Sequence, residues 1–440
     1  MSELAEPTSS RPPTLAAGKN RPMERRAAFA ASLGTVLEYF DFAIFGLLAA
    51  TVFPVVFFGE LHGAAALMAS FATYGVAFVA RPLGSLVFGT IGDRHGRRGV
   101  LVATLLIMGL ATTAMGLLPG YAAIGLAAPA VLIVLRFVQG VASGGEITGA
   151  QLLALEHAPV ERRGRAGSFV AIASPLAQAA ATLILAGLTA GLTKEAFVSW
   201  GWRIPLVASI VLVAFGTWVR TGVHETPEFV AAERKTETRP SAFQVLRRYP
   251  RTILILLLSY AGPACIYPMV TTFGVSYMTS AGGLKPSTAF VVFLIAQLIA
   301  IGAAIFGGRL ADRIGPRNAM LAALVALAVS FLPLFPVVHA GNIPLTALCI
   351  TGVVGSIIVA LSAQAAFFAD AFPVRMRYSG SSIAYTVTNS IFGGSAAVVA
   401  TALLATGGGI IAVTVYGAAL VIVSFIAVLA RPAHQKPEVE

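Results

Sequence analysis

Two long apolar runs meet at a short charged stretch, Gly89-Thr-Ile-Gly-Asp-Arg-His-Gly-Arg-Arg98, and this pattern leaves few folds open. Leu67 to Phe88 carries one charge, Arg81, and Gly99 to Leu118 carries none. A helix of about 20 apolar residues crosses the hydrocarbon core of a bilayer, so the charged stretch joins two membrane helices. Lys and Arg are retained on the cytoplasmic side, which places Arg94, Arg97 and Arg98 there, with Arg81 nearby. Gly92 and Gly96 permit a tight turn and the close approach of a neighbouring helix. Asp93 suits the positive N-terminus of such a neighbour.

The device recurs. Gly308-Arg-Leu-Ala-Asp-Arg-Ile-Gly-Pro-Arg317 aligns on Gly89 to Arg98 without a gap, repeating Gly308, Asp312, Arg313, Gly315 and Arg317. Glu156-His-Ala-Pro-Val-Glu-Arg-Arg163 likewise matches Asp370-Ala-Phe-Pro-Val-Arg-Met-Arg377. Two independent repeats at nearly the same offset, close to half the chain, indicate a duplicated bundle.

Composition agrees. Hydrophobic residues make up 57% of the chain and charged ones 11%, against roughly 25% charged in a soluble domain. The net charge of +11 would suit nucleic acid, but its distribution follows membrane topology. Of the 30 Lys and Arg, 25 fall in segments read as cytoplasmic, Lys194, Arg203 and Lys285 lie outside, and Arg81 and Arg136 lie within helices. Cys265 and Cys349 sit in apolar runs and read as packing thiols, and the six His show no metal-ligand spacing. With no nucleophile elbow, phosphate loop or dinucleotide fingerprint in a suitable setting, the chain does not read as an enzyme, and no cofactor or metal is expected beyond coupling protons.

Hydropathy divides the chain into twelve spans, making an all-α membrane protein of two six-helix bundles with both termini cytoplasmic. Residues 1–28 read as a disordered tail, 29–221 as the N-terminal bundle and 222–250 as a cytoplasmic linker broken by prolines. Residues 251–431 form the C-terminal bundle and 432–440 a short tail. The expected location is a bacterial inner membrane, and the expected working unit a monomer.

Charges inside a bilayer are costly and mark function. The first span holds Glu38 and Asp41, an i, i+3 pair on one face expected to face an inner cavity. The fourth holds Arg136, Gln139, Ser143 and Glu146 near one stripe, with Gly140, Gly144 and Gly145 small enough for close helix contact. Counting rise along each helix places Asp41 level with Arg136, and Arg81 level with Glu146 or Glu38. Two charge layers are therefore expected. In the C-terminal half Tyr260 and Tyr267 share a stripe, and Gln364 and Asn389 are further polar residues inside spans; all four are candidates to touch a substrate.

The repeated Gly-x-x-[Gly/Ala]-Asp-Arg-x-Gly-[Arg/Pro]-Arg stretches resemble those of the major facilitator superfamily of secondary transporters. Five further stretches resemble its metabolite:proton symporter branch. These are Leu37 to Phe42, Ala80 to Gly84, Leu135 to Glu146, Trp200 to Pro205 and Glu225 to Phe229. The resemblance implies alternating access between two bundles and proton-coupled uptake of a small polar metabolite. It also implies a cytoplasmic gate in which Asp93 meets the start of the eleventh helix near Arg375 and Arg377. By symmetry Asp312 would meet the start of the fifth, near Arg163 and Arg165.

Within that class an organic acid anion is expected, because Arg81 and Arg136 both suit a carboxylate, with Gln139 beside them. The alternatives are a zwitterionic solute of the proline or betaine type, and a transport-inactive sensor that keeps the fold. Asp41 is the first candidate for proton carrier, released and protonated when Arg136 turns away, followed by Glu38 and then Glu146.

Overall fold

The computed structural model describes residues 21–95, 97–144, 155, 162–221, 242–373 and 376–431. Every regular element in them is helical. The long helices of the N-terminal half are α1 (Arg21–Thr51), α2 (Ala64–His95), α3 (Arg97–Leu117), α4 (Ala127–Ala142), α5 (Arg163–Gly191) and α6 (Arg203–Thr221). The C-terminal half begins with α7, a bent pair of Pro250–Ser259 and Ala261–Ser280, followed by α8 (Pro286–Ile314) and α9 (Pro316–His339). It ends with α10 (Ile343–Ala369), α11 (Arg377–Thr388 continuing through Gly394–Ala405) and α12 (Gly409–Ala430).

Eight of these helices are long and apolar enough to cross a bilayer, and two bent pairs, α7 and Lys194–Gly201 with Arg203–Trp218 of α6, raise the number to ten. The shorter apolar helices Val102–Leu117 and Ala127–Ala142 complete the twelve spans. Their outer faces expose large apolar side chains such as Val134, Phe169, Val211, Trp218, Val329 and Ile411. Water would penalise that surface; acyl chains do not.

Two boundaries differ from those expected. The first helix begins at Arg21, inside the stretch read as a tail, because Ala27, Ala28, Ala30 and Ala31 favour helix ahead of the apolar run. The repeated charged stretches are not free loops either. Helix α2 continues through Asp93 to His95, and α8 continues through Asp312 and Arg313 to Ile314. The second chain reversal falls at Gly315, whose φ of +85° suits glycine.

The bundles meet along α2 against α11 and α5 against α8. Gly164 and Gly308 let α5 and α8 touch backbone to backbone: a Cβ on Gly164 would stand 2.4 Å from Gly308 O. On α2, Pro82 has no N–H to give the carbonyl one turn back, that of Phe78. Ser390 Oγ of α11 donates to that carbonyl at 2.6 Å, so a proline in one bundle creates an acceptor for the other. Within the N-terminal bundle, Gly140 and Gly144 pack α4 against the backbone of Ala77 and Arg81. Gly145 lies outside the described residues.

Candidate functional site

Helices α1 and α2 place Glu38 and Arg81 side by side. Arg81 Nη2 donates to Glu38 Oε1 at 2.8 Å, and its Nε donates to Ser143 Oγ at 3.3 Å. The guanidinium lies over the rings of Phe42, at 4.2 Å, and Phe78, at 4.9 Å. Both members of the pair are buried, so each depends on the other for its charge.

The second layer differs from the expected direct pairing of Asp41 with Arg136. Asp41 Oδ2 accepts from Thr112 Oγ1 at 2.8 Å and from Gln139 Nε2 at 3.5 Å, and Oδ1 accepts from Ser209 Oγ at 3.2 Å. Gln139 Nε2 also donates to Thr112 Oγ1 at 2.7 Å, while its Oε1 accepts from Arg136 Nη1. The amide is thus interposed between acid and base. One turn separates Arg136 from Gln139 on α4, so the amide reaches the guanidinium first. The rest of the Arg136 head lies over Phe42 (4.3 Å) and Phe45 (4.0 Å), and its Nε and Nη2 make no hydrogen bond among the described residues.

Between the bundles lies a central cavity. Of the residues read from the sequence as substrate candidates, Arg81, Tyr260, Tyr267 and Asn389 line it. Arg136 and Gln139 stand behind that wall, and Gln364 is buried in α10 without joining it. Asp41 likewise turns into the N-terminal bundle rather than the cavity, because its hydroxyl partners are on α3 and α6. Tyr39, Tyr74, Ser174, Gln178 and Tyr385, none of them among the substrate candidates read from the sequence, also line the cavity. Tyr39 Oη and Tyr385 Oη approach to 3.5 Å across the bundle boundary. Signals for two of them existed: Tyr39 adjoins Glu38, and Tyr385 lies one turn before Asn389. Two five-residue π-helices, Met269–Phe273 and Asn389–Gly393, border the same space. Such turns widen a helix and re-aim its side chains.

On the face marked cytoplasmic by its cations, Asp312 Oδ1 accepts from the Gly164 N–H at 2.8 Å, and Oδ2 pairs with Arg165 Nε at 3.2 Å. Arg163 Nη1 stands 3.6 Å from Asp370 Oδ1, again between bundles. Arg317 donates to the carbonyls of Val428 and Leu429, and Arg377 Nε to that of Ala369, so both serve helix C-termini. Arg431 donates to the Phe367 carbonyl and lies over its ring. Burial pushes its guanidinium down to about 10, opposed by Asp370. Arg313 is exposed. Gly96, Glu146 and Arg375 lie outside the described residues, as do the side chains of Asp93, Arg94, Arg97 and Arg98.

The model of the Major Facilitator Superfamily matches residues 31–397. The chain belongs to that superfamily. It is an integral, multi-pass membrane transporter of that superfamily, and not an enzyme. The inner membrane metabolite transport protein YhjE of Escherichia coli K12 is 38% identical over 91% of this chain and 92% of its own length. The shikimate transporter of the same organism is 34% identical over 86% of this chain and 88% of its own. A putative proline/betaine transporter of Staphylococcus aureus is 31% identical over 92% and 87%. Among solved structures, the partially occluded inward-open xylose transporter XylE of E. coli superposes with a TM-score of 0.74. It is 15% identical, with 93% of this chain and 98% of that one covered. This superfamily member has the same fold.

Proposed function

We propose that the protein carries a small organic acid anion inward together with protons, by exposing the central cavity alternately to the two sides of a bacterial inner membrane. The observation that supports this most is the Arg81–Glu38 pair at the cavity wall. Arg81 offers a carboxylate the planar fork that only a guanidinium provides. Its head is already held by Glu38, so an incoming anion competes with Glu38 for it. A proton on Glu38 removes the competitor, and anion and proton then load with no net charge added. Burying an extra unpaired charge in the membrane interior is the costly alternative. Glu38 therefore replaces Asp41 as the preferred proton carrier, because Asp41 is held by two hydroxyls and an amide away from the cavity. The names of its relatives, a metabolite transport protein and a shikimate transporter among them, support a small polar metabolite.

The ligand is sought first by thermal stabilisation of the purified protein with carboxylates, aromatic acids, amino acids and betaines, since binding to the folded state raises its stability. In proteoliposomes with an inward proton gradient, Glu38→Gln should keep exchange of the stabilising compound and lose gradient-driven accumulation. Asp41→Asn should keep both. The reverse outcome assigns the proton to Asp41.

One observation favours a second reading. Tyr39, Tyr260, Tyr267 and Tyr385 line the same cavity as Arg81, and aromatic faces attract quaternary ammonium groups. Stabilisation by betaines, with none by carboxylates lacking a cationic group, decides for a zwitterionic solute.

A further inference from the structure

Tyr267 of α7 holds its hydroxyl across the boundary between the bundles, 3.3 Å from Ser174 Oγ of α5. Both side chains line the central cavity. On its own side of the boundary Tyr267 has a second neighbour. Gln297 of α8 stands within reach of the same hydroxyl and is fully buried. Yet neither its Oε1 nor its Nε2 makes a hydrogen bond among the described residues. A carboxamide brings an acceptor and two donors, and in a bilayer no bulk water serves them. Where the phenolic proton goes to Ser174 Oγ, none is left for Gln297 Oε1.

We propose that Gln297 is the alternate partner of the Tyr267 hydroxyl, and a positioning residue for ligand recognition. A polar ligand group that enters between Ser174 and Tyr267 breaks their contact, as does any parting of α5 from α7. The hydroxyl then turns to Gln297 Oε1. A hydrogen bond across the bundle boundary is exchanged for one inside the C-terminal bundle, so the released tyrosine is never left unsatisfied. The closed arrangement carries the unpaired amide and the parted or liganded arrangement does not. Gln297 thus biases the protein toward the parted state. The inference rests on the cavity being the ligand site, but its test needs no ligand.

The test is thermal unfolding of the full-length protein in detergent, for wild type, Gln297→Leu, Ser174→Ala and the double variant, repeated in a Tyr267→Phe background. Gln297→Leu should raise Tm, because it removes the unpaired amide from the resting state. Gln297→Met, of similar volume, should do the same if the branched side chain packs badly. Ser174→Ala alone should change Tm little, since the hydroxyl turns to Gln297. In the double variant the hydroxyl has neither partner, and Tm should fall below the sum of the single shifts by about 2 °C or more. Tyr267→Phe should abolish that coupling. Additive shifts, or coupling that persists without the hydroxyl, overturn the proposal. Additivity would leave the reading of Arg81 and Glu38 untouched, and failure of every tested acid to bind would leave the coupling untouched.

Discussion

Arg81 and Arg136 lie over the ring of the same residue, Phe42, at 4.2 and 4.3 Å from its centroid. One aromatic side chain thereby joins the layer that lines the cavity to the layer sealed inside the N-terminal bundle. Each cation–π contact in a dry site contributes up to about 2 kcal/mol. Phe42→Leu keeps an apolar side chain and removes both contacts. It should destabilise the protein by about 2 kcal/mol or more, while Phe42→Tyr should retain most of the stability. Thermal unfolding of the purified variants measures this, and a Phe42→Leu protein as stable as wild type would remove the ring from the argument.

The Arg81–Glu38 pair predicts a rescue. Arg81→Ala leaves a buried carboxylate without its partner, at a cost of about 3–5 kcal/mol. Adding Glu38→Gln neutralises that carboxylate and should restore most of the lost stability without restoring transport. Arg81→Lys keeps the charge but not the fork, and should weaken binding of a carboxylate substrate about tenfold, or roughly 1.4 kcal/mol. Unfolding midpoints and binding isotherms on the three variants check both statements. A double variant as unstable as Arg81→Ala would show that something other than charge pairing sets the cost.

The contact of α5 with α8 predicts a gate defect. A Cβ on Gly164 would stand 2.4 Å from Gly308 O and 2.7 Å from Asp312 Oδ1, so Gly164→Ala forces the helices apart. Asp312→Asn keeps the shape but weakens both the hydrogen bond from Gly164 and the pairing with Arg165. Both variants should label faster from the cytoplasmic side at a cysteine introduced in the cavity wall, with Gly164→Ala the stronger. Wild-type labelling rates in both would exclude this contact as a closure.

Much of this was legible from composition and repetition, and the remainder fails for identifiable reasons. Apolar length located the spans, and the two copies of the charged stretch pointed to a duplicated bundle. Depth counting left Arg81 level with Glu146 or Glu38, because helical rise is regular but does not choose between neighbours, and the structure pairs it with Glu38. The same counting brought Asp41 level with Arg136, yet depth says nothing of what stands between two groups, and Gln139 does. Thr112 and Ser209 were illegible as partners of Asp41 because hydroxyl residues are common in membrane helices and usually bond their own backbone. Both also stand within hydrogen-bond distance of their own backbone, at the carbonyls of Met108 and Pro205, as alternatives to the carboxylate. The charged stretches read as loops because glycine and charge dominate them. They fold as helix because the helical backbone satisfies its own polar groups as it leaves the bilayer.

That continuity makes α8 a lever. With no turn before Gly315, whatever tilts the helix at mid-membrane also moves Asp312. The arm from Gln297 to Asp312 is roughly 22 Å long at about 1.5 Å per residue. A tilt of about 10° around Gln297 sweeps its far end through roughly 4 Å, more than a hydrogen bond survives. A change of partner beside the cavity is thus read out, without any intervening flexible joint, as a broken contact at the cytoplasmic surface.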